Sequence, residues 1–357
     1  MGPAKVALIS GYTGQDGTFL TKLLLDKGYK VVGLVRRVST EPPRRVRGEF
    51  DFSNAISEGR LVLEEGDLLS RSSLDAIIKT HQPDEIYNLA AQSHVGTSFK
   101  QPEFTIEVVL MGTVNLIESL KTCHSNKSWR LYQASTSEMF GSQKQNIGYF
   151  DESAALEPNS PYAIAKAAAH QYCKMTRREG YFISCGILFN HESEIRGGDF
   201  VTQKIASGAV KWHFEYKRFA LMPTVLKVGN LEAVRDWGYA GDYVEAMWRM
   251  LQIGEPDDFV IGTGESHSVR TFIDKAFEAL GHKVDWAGTP GQEKGYVDAV
   301  LAVEVSPEFY RPVDVGYLKA KPTKAKAILD WDPKVNFDSL VMIMVSNQVY
   351  DQEGRQL

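Results

Sequence analysis

No apolar run in this chain approaches the about 18 residues expected of a membrane-crossing helix, so no bilayer span is expected. The N-terminus lacks the basic-then-apolar layout of a secretory signal. Val6 stands where a myristoylation signal carries Ser or Thr. Without a secretory signal, the sequon Asn126-Lys127-Ser128 carries little meaning. Cysteine is scarce. Cys123, Cys173 and Cys185 are far apart and form no CxxC pair, so they read as reduced thiols of a cytoplasmic protein. The eight histidines show no metal-ligand spacing, and no metal site is expected. Neither charge sign dominates: a net charge of −5 gives no bulk attraction to nucleic acid or to an anionic membrane. An anionic ligand must therefore be held by a local basic patch. What remains is the balance of an ordinary globular protein, 43% apolar and 24% charged. The 357 residues have room for one large α/β unit or two modest domains.

The first half alternates two patterns. Short apolar runs at Val6–Ile9, Val31–Val35, Leu61–Leu63, Ile86–Leu89, Leu131–Ala134 and Ile183–Leu188 read as strands. Helical spacing follows the first of them at Phe19, Leu20, Leu23 and Leu24, and recurs over 72–80, 104–122 and 161–179. Continuous apolar strands separated by helices predict a parallel sheet covered on both faces, the doubly wound α/β architecture. After residue 190 the regularity weakens. Helical stretches near 200–211, 242–252, 270–281 and 339–349 are separated by Gly- and Pro-punctuated segments. A smaller, irregular α/β lobe is expected there.

The loop Gly11-Tyr12-Thr13-Gly14-Gln15-Asp16-Gly17 follows the first strand and opens the first helix. Glycine allows the tight turn and lets backbone approach a pyrophosphate at the helix N-terminus. This context, rather than the GxxGxxG spacing alone, predicts a Rossmann-type dinucleotide site. The second strand then separates the cofactors. An NAD enzyme usually ends it with Asp or Glu, whereas this chain has Arg36 and Arg37. An arginine can bind a 2′-phosphate with charge-assisted bonds, so Arg36 points to NADP. Arg44, Arg45 and Arg47 either assist or form a solvated basic loop. Asp67-Leu68 either meets the adenine ring or caps the third strand.

Tyr162-Ala163-Ile164-Ala165-Lys166 is a YxxxK pair, whose two members share a helix face. A free tyrosine titrates near pH 10 and is a poor base at neutral pH. A nearby ammonium is expected to lower that pKa and to hold the nicotinamide ribose. Ser135-Thr136-Ser137-Glu138 ends the fifth strand, on the edge where open parallel sheets bind ligands. Thr136 can donate to the sugar oxygen being oxidised. Simple alcohol oxidation needs only one base, so Glu138 suggests that a second proton is removed. The plain alternative is an acid favoured at a helix start.

Taken together, these motifs resemble the extended short-chain dehydrogenase/reductase family and, within it, the GDP-mannose 4,6-dehydratases. The resemblance rests on the glycine loop, Leu89-Ala90-Ala91-Gln92-Ser93-His94-Val95, Ser135 to Gly141 and Ser160 to Lys166. It continues through Phe189-Asn190-His191-Glu192-Ser193, Arg235-Asp236-Trp237-Gly238 and Arg311-Pro312-Val313-Asp314-Val315. It implies that Thr136, Glu138, Tyr162 and Lys166 are catalytic. The glycine loop, Arg36, Asp67, Leu68, Leu89 to Ser93, Phe104, Tyr162, Lys166, His191 and Arg196 would bind NADP. Ser93, Thr136, Glu138, Tyr162, Asn190, Arg235 and Arg311 would meet GDP-mannose. An ion pair with Asp236 or Asp242 is the structural alternative for Arg235. The implied division is an NADP-binding Rossmann domain over 1–190. Residues 191–357 form a mainly substrate-binding lobe, with segments interleaved with the first. The implied assembly is a homodimer or homotetramer. The chain departs from the family at Glu194-Ile195-Arg196-Gly197, where one of two arginines survives, at Phe104 in place of Tyr, and at Ala320-Lys321-Pro322. Related dehydratases of dTDP-glucose carry Asp where Ser137 stands, and sugar epimerases lack the glutamate. Glu138 therefore argues for dehydration. A non-enzymatic NADP-sensing protein would tend to lose the Tyr or Lys kept here.

Overall fold

A computed structural model describes residues 3–36, 50–126, 128–141, 149–219, 223–309 and 317–354. Arg37, Arg44, Arg45, Arg47 and Arg311, all named above, lie outside the described residues.

The apolar runs form the strands β1 (Val6–Ser10), β2 (Lys30–Val35), β3 (Leu61–Glu65), β4 (Glu85–Asn88), β5 (Arg130–Thr136) and β6 (Phe182–Leu188). A seventh strand, Asp258–Ile261, comes from the irregular half and pairs with β6. The sheet order is Asp258–Ile261, β6, β5, β4, β1, β2, β3, and every pairing is parallel. This is the doubly wound order. Its direction reverses between β1 and β4, where ligands of such sheets bind.

Alternation along the strands builds two cores. Ala7, Ile9, Val31, Tyr87 and Tyr132 face one side, under helix α1 (Gln15–Asp26) and helix Ala240–Met250. Leu8, Val32, Ile86, Leu131 and Ile183 face the other, under helices Arg71–His81, Gly112–Cys123 and Pro161–Arg178. Each large apolar side chain buried there contributes roughly 1.5–3 kcal/mol. The helical pattern over 104–122 resolves into three pieces: Pro102–Ile106, a π-helical turn Glu107–Met111, and Gly112–Cys123.

The second half has its own core. Helices Val201–Phe219, Val269–Glu278 and Phe337–Gly354 pack Ile205, Trp212, Phe272, Phe277, Leu340 and Met344 together. A four-stranded sheet flanks them, in the order Asp285–Ala287, Lys294–Val297, Val300–Val305, Leu226–Val228. Two two-stranded sheets are also present. Asn190–Glu192 pairs in parallel with Trp237–Tyr239, and Val234–Arg235 pairs antiparallel with His267–Ser268. Among the described residues, no helix is long and apolar enough to cross a membrane.

Candidate active site

The loop after β1 shows why glycine is required at two positions. Gly11 has φ +74°, and a Cβ there would lie 2.8 Å from the Ala90 backbone nitrogen. A Cβ on Gly17 would lie 2.3 Å from the Gly11 carbonyl oxygen. The first glycine thus lets the loops after β1 and β4 touch, and the last seats α1 against the turn. The cap position before helix α1 is Gly14, which offers no side-chain cap. Its first backbone N–H groups remain open to an anion. This bed fits a pyrophosphate-bearing dinucleotide.

A single cleft of ≈ 2160 Å³ runs from this bed between the halves. It gathers every described residue expected at the site. The glycine loop, Arg36, Asp67, Leu68 and Leu89 to Ser93 line one end, together with Phe104. Thr136, Glu138, Tyr162 and Lys166 line its middle, and Asn190, His191, Arg196 and Arg235 approach from the second half. Arg36 is exposed, immediately beyond β2. The Asp67 carboxylate accepts from Leu69 N at 2.9 Å, so the strand-end capping role exists alongside its place in the cleft.

Local chemistry sets the candidate catalytic group. Helix Pro161–Arg178 starts at Ser160, whose Oγ accepts from Ala163 N at 3.1 Å, with Pro161 in the first turn. That start puts Tyr162 and Lys166 on the buried face. Thr136 closes β5 and caps a short 3₁₀ turn, Ser137–Phe140, accepting from Glu138 N at 3.3 Å. Its hydroxyl also hydrogen-bonds Tyr162. Thr136, Glu138, Tyr162 and Lys166 are all at least nine-tenths buried.

One expectation fails here. Burial holds the Tyr162 hydroxyl well above its ordinary pKa, against the pull of Thr136 and Arg196, and Glu138 adds to the rise. Lys166 does not offset this. Its Nζ donates to Ala134 O at 2.7 Å and stands 5.9 Å from the Tyr162 ring centroid. Burial also lowers Lys166 itself to about 8.

The two most distinctive sequence motifs touch. His191 Nε2 meets Asp16 Oδ2 at 2.9 Å and His191 Nδ1 meets Phe189 O at 2.8 Å. Both partners only accept, so both ring nitrogens donate and the ring is an imidazolium. Burial opposes that charge, but Asp16 raises the His191 pKa. Burial likewise works against the Asp16 carboxylate, yet His191 and Gln15 bring it down to about 2. Gln15 completes the clasp, donating to His191 O at 3.1 Å and accepting from Ser193 Oγ at 2.8 Å. His191 further stacks on Tyr243 at 4.6 Å.

The surviving arginine of the departing segment, Arg196, sits over the Phe200 ring, 3.5 Å from its centroid. Its Nε is 3.0 Å from Glu192 Oε2, an ion pair bent away from hydrogen-bond geometry. Asp236 and Asp242 are engaged elsewhere. Asp236 accepts from Thr263 N, Gly264 N and Ala320 N, and Asp242 from Lys334 N and Val335 N. Arg235 lines the cleft and donates to Val234 O at 2.9 Å. Sequence reading missed Lys204, which lines the cleft over the Phe309 ring at 3.0 Å. A lone lysine at the start of a helix gives no signal of its own.

His170, Cys185 and Asp258 bring three ligand-type atoms within 4.8 Å of one another. Arg177 at 2.5 Å and Lys174 at 3.3 Å already neutralise Asp258, which makes this an ion-pair cluster unsuited to a cation.

Comparison with known proteins bears on this geometry. The family model described as GDP-mannose 4,6 dehydratase matches residues 8–344. The GDP-mannose 4,6 dehydratase of Homo sapiens is 45% identical over 352 residues, 97% of this chain and 92% of that protein. GDP-mannose 4,6 dehydratase 2 of Caenorhabditis elegans is 44% identical over 351 residues, 97% of this chain and 89% of that one. The UDP-glucose 4-epimerase of Thermus thermophilus, solved with NAD, has a TM-score of 0.76 at 24% identity, covering 96% of this chain and 98% of that chain. That structural likeness carries the fold alone. The match to the dehydratases runs through both halves of the cleft, and the chain belongs to the GDP-mannose 4,6-dehydratase family.

Proposed function

We propose that this protein converts GDP-mannose to GDP-4-keto-6-deoxymannose and water, with NADP as its cofactor. The observation that carries this reading is the carboxylate of Glu138 beside the Thr136–Tyr162 pair in the cleft. An enzyme that only moved a hydride at C4 would have no use for it.

Tyr162 takes the proton of the C4 hydroxyl, with Thr136 holding the oxygen. Because burial keeps the phenol protonated, this role requires positive charge close by. Lys166 and Arg196 are the cations that face Tyr162 among the described residues. The C4 ketone acidifies the C5 proton, which Glu138 removes and passes to the departing C6 hydroxyl, so that water leaves, and once hydride has reached C6 the proton taken up by Tyr162 is returned at C5. NADP, held by the glycine loop, Arg36, Tyr162 and Lys166, would supply a hydride acceptor for C4 and a hydride donor for C6, with no net change in its oxidation state. Atoms balance as the loss of one water.

Arg36 and the absence of an acid at the end of β2 support NADP over NAD. Asn190 and Arg235, with Arg311 beyond the described residues, are assigned to the nucleotide diphosphate. Residues 1–190 would hold the cofactor and 191–357 mainly the substrate, with Asp258–Ile261 interleaved into the first sheet. Phe104, Met111, Ile164 and Met175 expose apolar side chains on the adjoining helical stretches 102–123 and 161–178. A second copy of this chain is the occupant proposed for that face, giving a homodimer or homotetramer.

Incubation with a panel of nucleotide sugars, read by product mass, tests the central reading. Loss of one water from GDP-mannose is expected. Turnover of another sugar nucleotide in preference would replace it.

A further inference from the structure

Strands β1, β4 and β5 each carry a buried polar side chain, at the carboxyl end of the first two and in the middle of the third. These are Ser10, Asn88 and Gln133, each at most 2% exposed. They are adjacent across the sheet, since Ser10 pairs with Asn88 and Asn88 with Gln133. No step of the mechanism above uses them.

Their hydrogen bonds run in one direction only, and the backbone dictates it. Leu89 N and Ala90 N, in the loop that touches the glycine turn, donate to Ser10 Oγ at 3.1 and 3.2 Å. Ser10 therefore spends its single proton on Asn88 Oδ1, at 2.7 Å. This fixes the amide of Asn88, whose Nδ2 then donates to Gln133 Oε1 at 2.8 Å. A second constraint agrees. Thr113 Oγ1 gives its proton to Val109 O at 2.8 Å, so it can only accept from Asn88 Nδ2, at 3.2 Å. Gln133 is fixed in turn, and its Nε2 donates to Ala134 O at 3.2 Å. That same carbonyl oxygen receives Lys166 Nζ at 2.7 Å.

We propose that Ser10, Asn88 and Gln133 form a one-way hydrogen-bond row that positions the Lys166 ammonium relative to the cofactor bed. Gln133 and Asn88 are positioning residues, acting through Ala134 O and never touching substrate. The row joins the backbone under the pyrophosphate site to the anchor of the lysine. A buried polar chain with every member satisfied has one low-energy arrangement, so the two ends hold a fixed separation. The titratable groups that face Lys166 are Asp16 of the glycine loop and Cys173 of its own helix, with Tyr162 one turn away. The inference rests on the reading of Lys166 as the lysine that supports Tyr162 and holds the cofactor.

Three variants test it: Gln133→Met, Gln133→Glu and Ser10→Ala. NADP affinity is titrated on either side of pH 8, where Lys166 changes charge. Turnover of GDP-mannose is measured in parallel, and far-UV circular dichroism confirms folding. Gln133→Met should lower kcat by about ten- to a hundredfold, as small misplacements of a positioned group do, with KM for GDP-mannose little changed. Gln133→Glu puts a carboxylate beside the lysine and should move the inflection in NADP affinity to higher pH. Ser10→Ala frees the Asn88 amide and should lower kcat in a way not additive with Gln133→Met.

A folded Gln133→Met with wild-type kcat, an unmoved inflection in Gln133→Glu, or strict additivity of the pair would overturn the row. A merely structural role would lower the melting temperature and leave the inflection in place. If Gln133→Met does not fold, Ser10→Ala with the pH titration decides. A wild-type protein that fails to dehydrate GDP-mannose would sink the functional reading, while the affinity titration would still judge the row.

Discussion

Glu138 and Tyr162 share one pocket, the proposed mechanism gives them different half-steps, and single substitutions should separate them. Glu138→Gln keeps the size and removes the basicity. Loss of a general base typically costs on the order of 10²–10⁴ in rate, so water loss should nearly stop while bound NADP still becomes partly reduced. In deuterated water, near wild-type product labelled at C5 would show that another group is the base. Tyr162→Phe should instead leave no reduced cofactor to detect, and absorbance of the reduced nicotinamide distinguishes the two. Arg36 offers a second residue-scale check. Arg36→Asp should weaken NADP and spare or improve NAD, and equal NADP affinity in the variant would remove Arg36 from the site. At this scale the YxxxK motif and the Thr-Ser-Glu run were readable because each needs only a helix face or a strand end. The protonation of Tyr162 was not readable. It depends on how much surrounding protein excludes water from the ring, and on Lys166 pointing to Ala134 O.

A part-buried polar contact between two elements predicts a pH response. His213, on helix Val201–Phe219, meets His282, beyond helix Val269–Glu278, with Nδ1 to Nε2 at 2.7 Å. Burial, followed by Lys217 and His282, lowers His213 to about 4, and burial also lowers His282. The unfolded chain, with histidines near their ordinary value of about 6.5, therefore takes up protons that the folded lobe refuses. The stabilising contribution is full above that value and is lost as pH falls from there toward about 4. His213→Gln should flatten this part of the melting temperature–pH curve relative to wild type. Parallel curves would exclude the pair as its source. The long strands and helices of the first half were legible from periodicity alone. The strand Asp258–Ile261 was not, because four residues beginning with an aspartate become a strand only by pairing with β6. The clasp of Gln15 and Asp16 onto His191 and Ser193 also joins positions about 175 apart in the chain, a distance no local pattern reports.

Among the described residues, Phe104, Met111, Ile164 and Met175 expose apolar side chains on the helical stretches 102–123 and 161–178, and a second copy of this chain is their proposed partner. Light scattering at micromolar concentration should give twice the chain mass or more, and Ile164→Glu should shift it toward the monomer. A wild-type monomer would refute the assembly. By itself the sequence determined the parallel α/β sheet, the glycine turn and the family, and it proposed the quartet of Thr136, Glu138, Tyr162 and Lys166, because each is written in local periodicity or in a short motif whose spacing is its geometry. Only the tertiary structure decided which motifs meet. It closed Asn190–Glu192 onto Trp237–Tyr239, set the second half against the first across one cleft, and aligned Ser10, Asn88 and Gln133 into a row. It also turned Lys166 toward a backbone carbonyl and kept the Tyr162 proton in place. The reason is physical: register, burial and the direction of a hydrogen bond are properties of neighbours in space, and the chain specifies those neighbours only once it has folded.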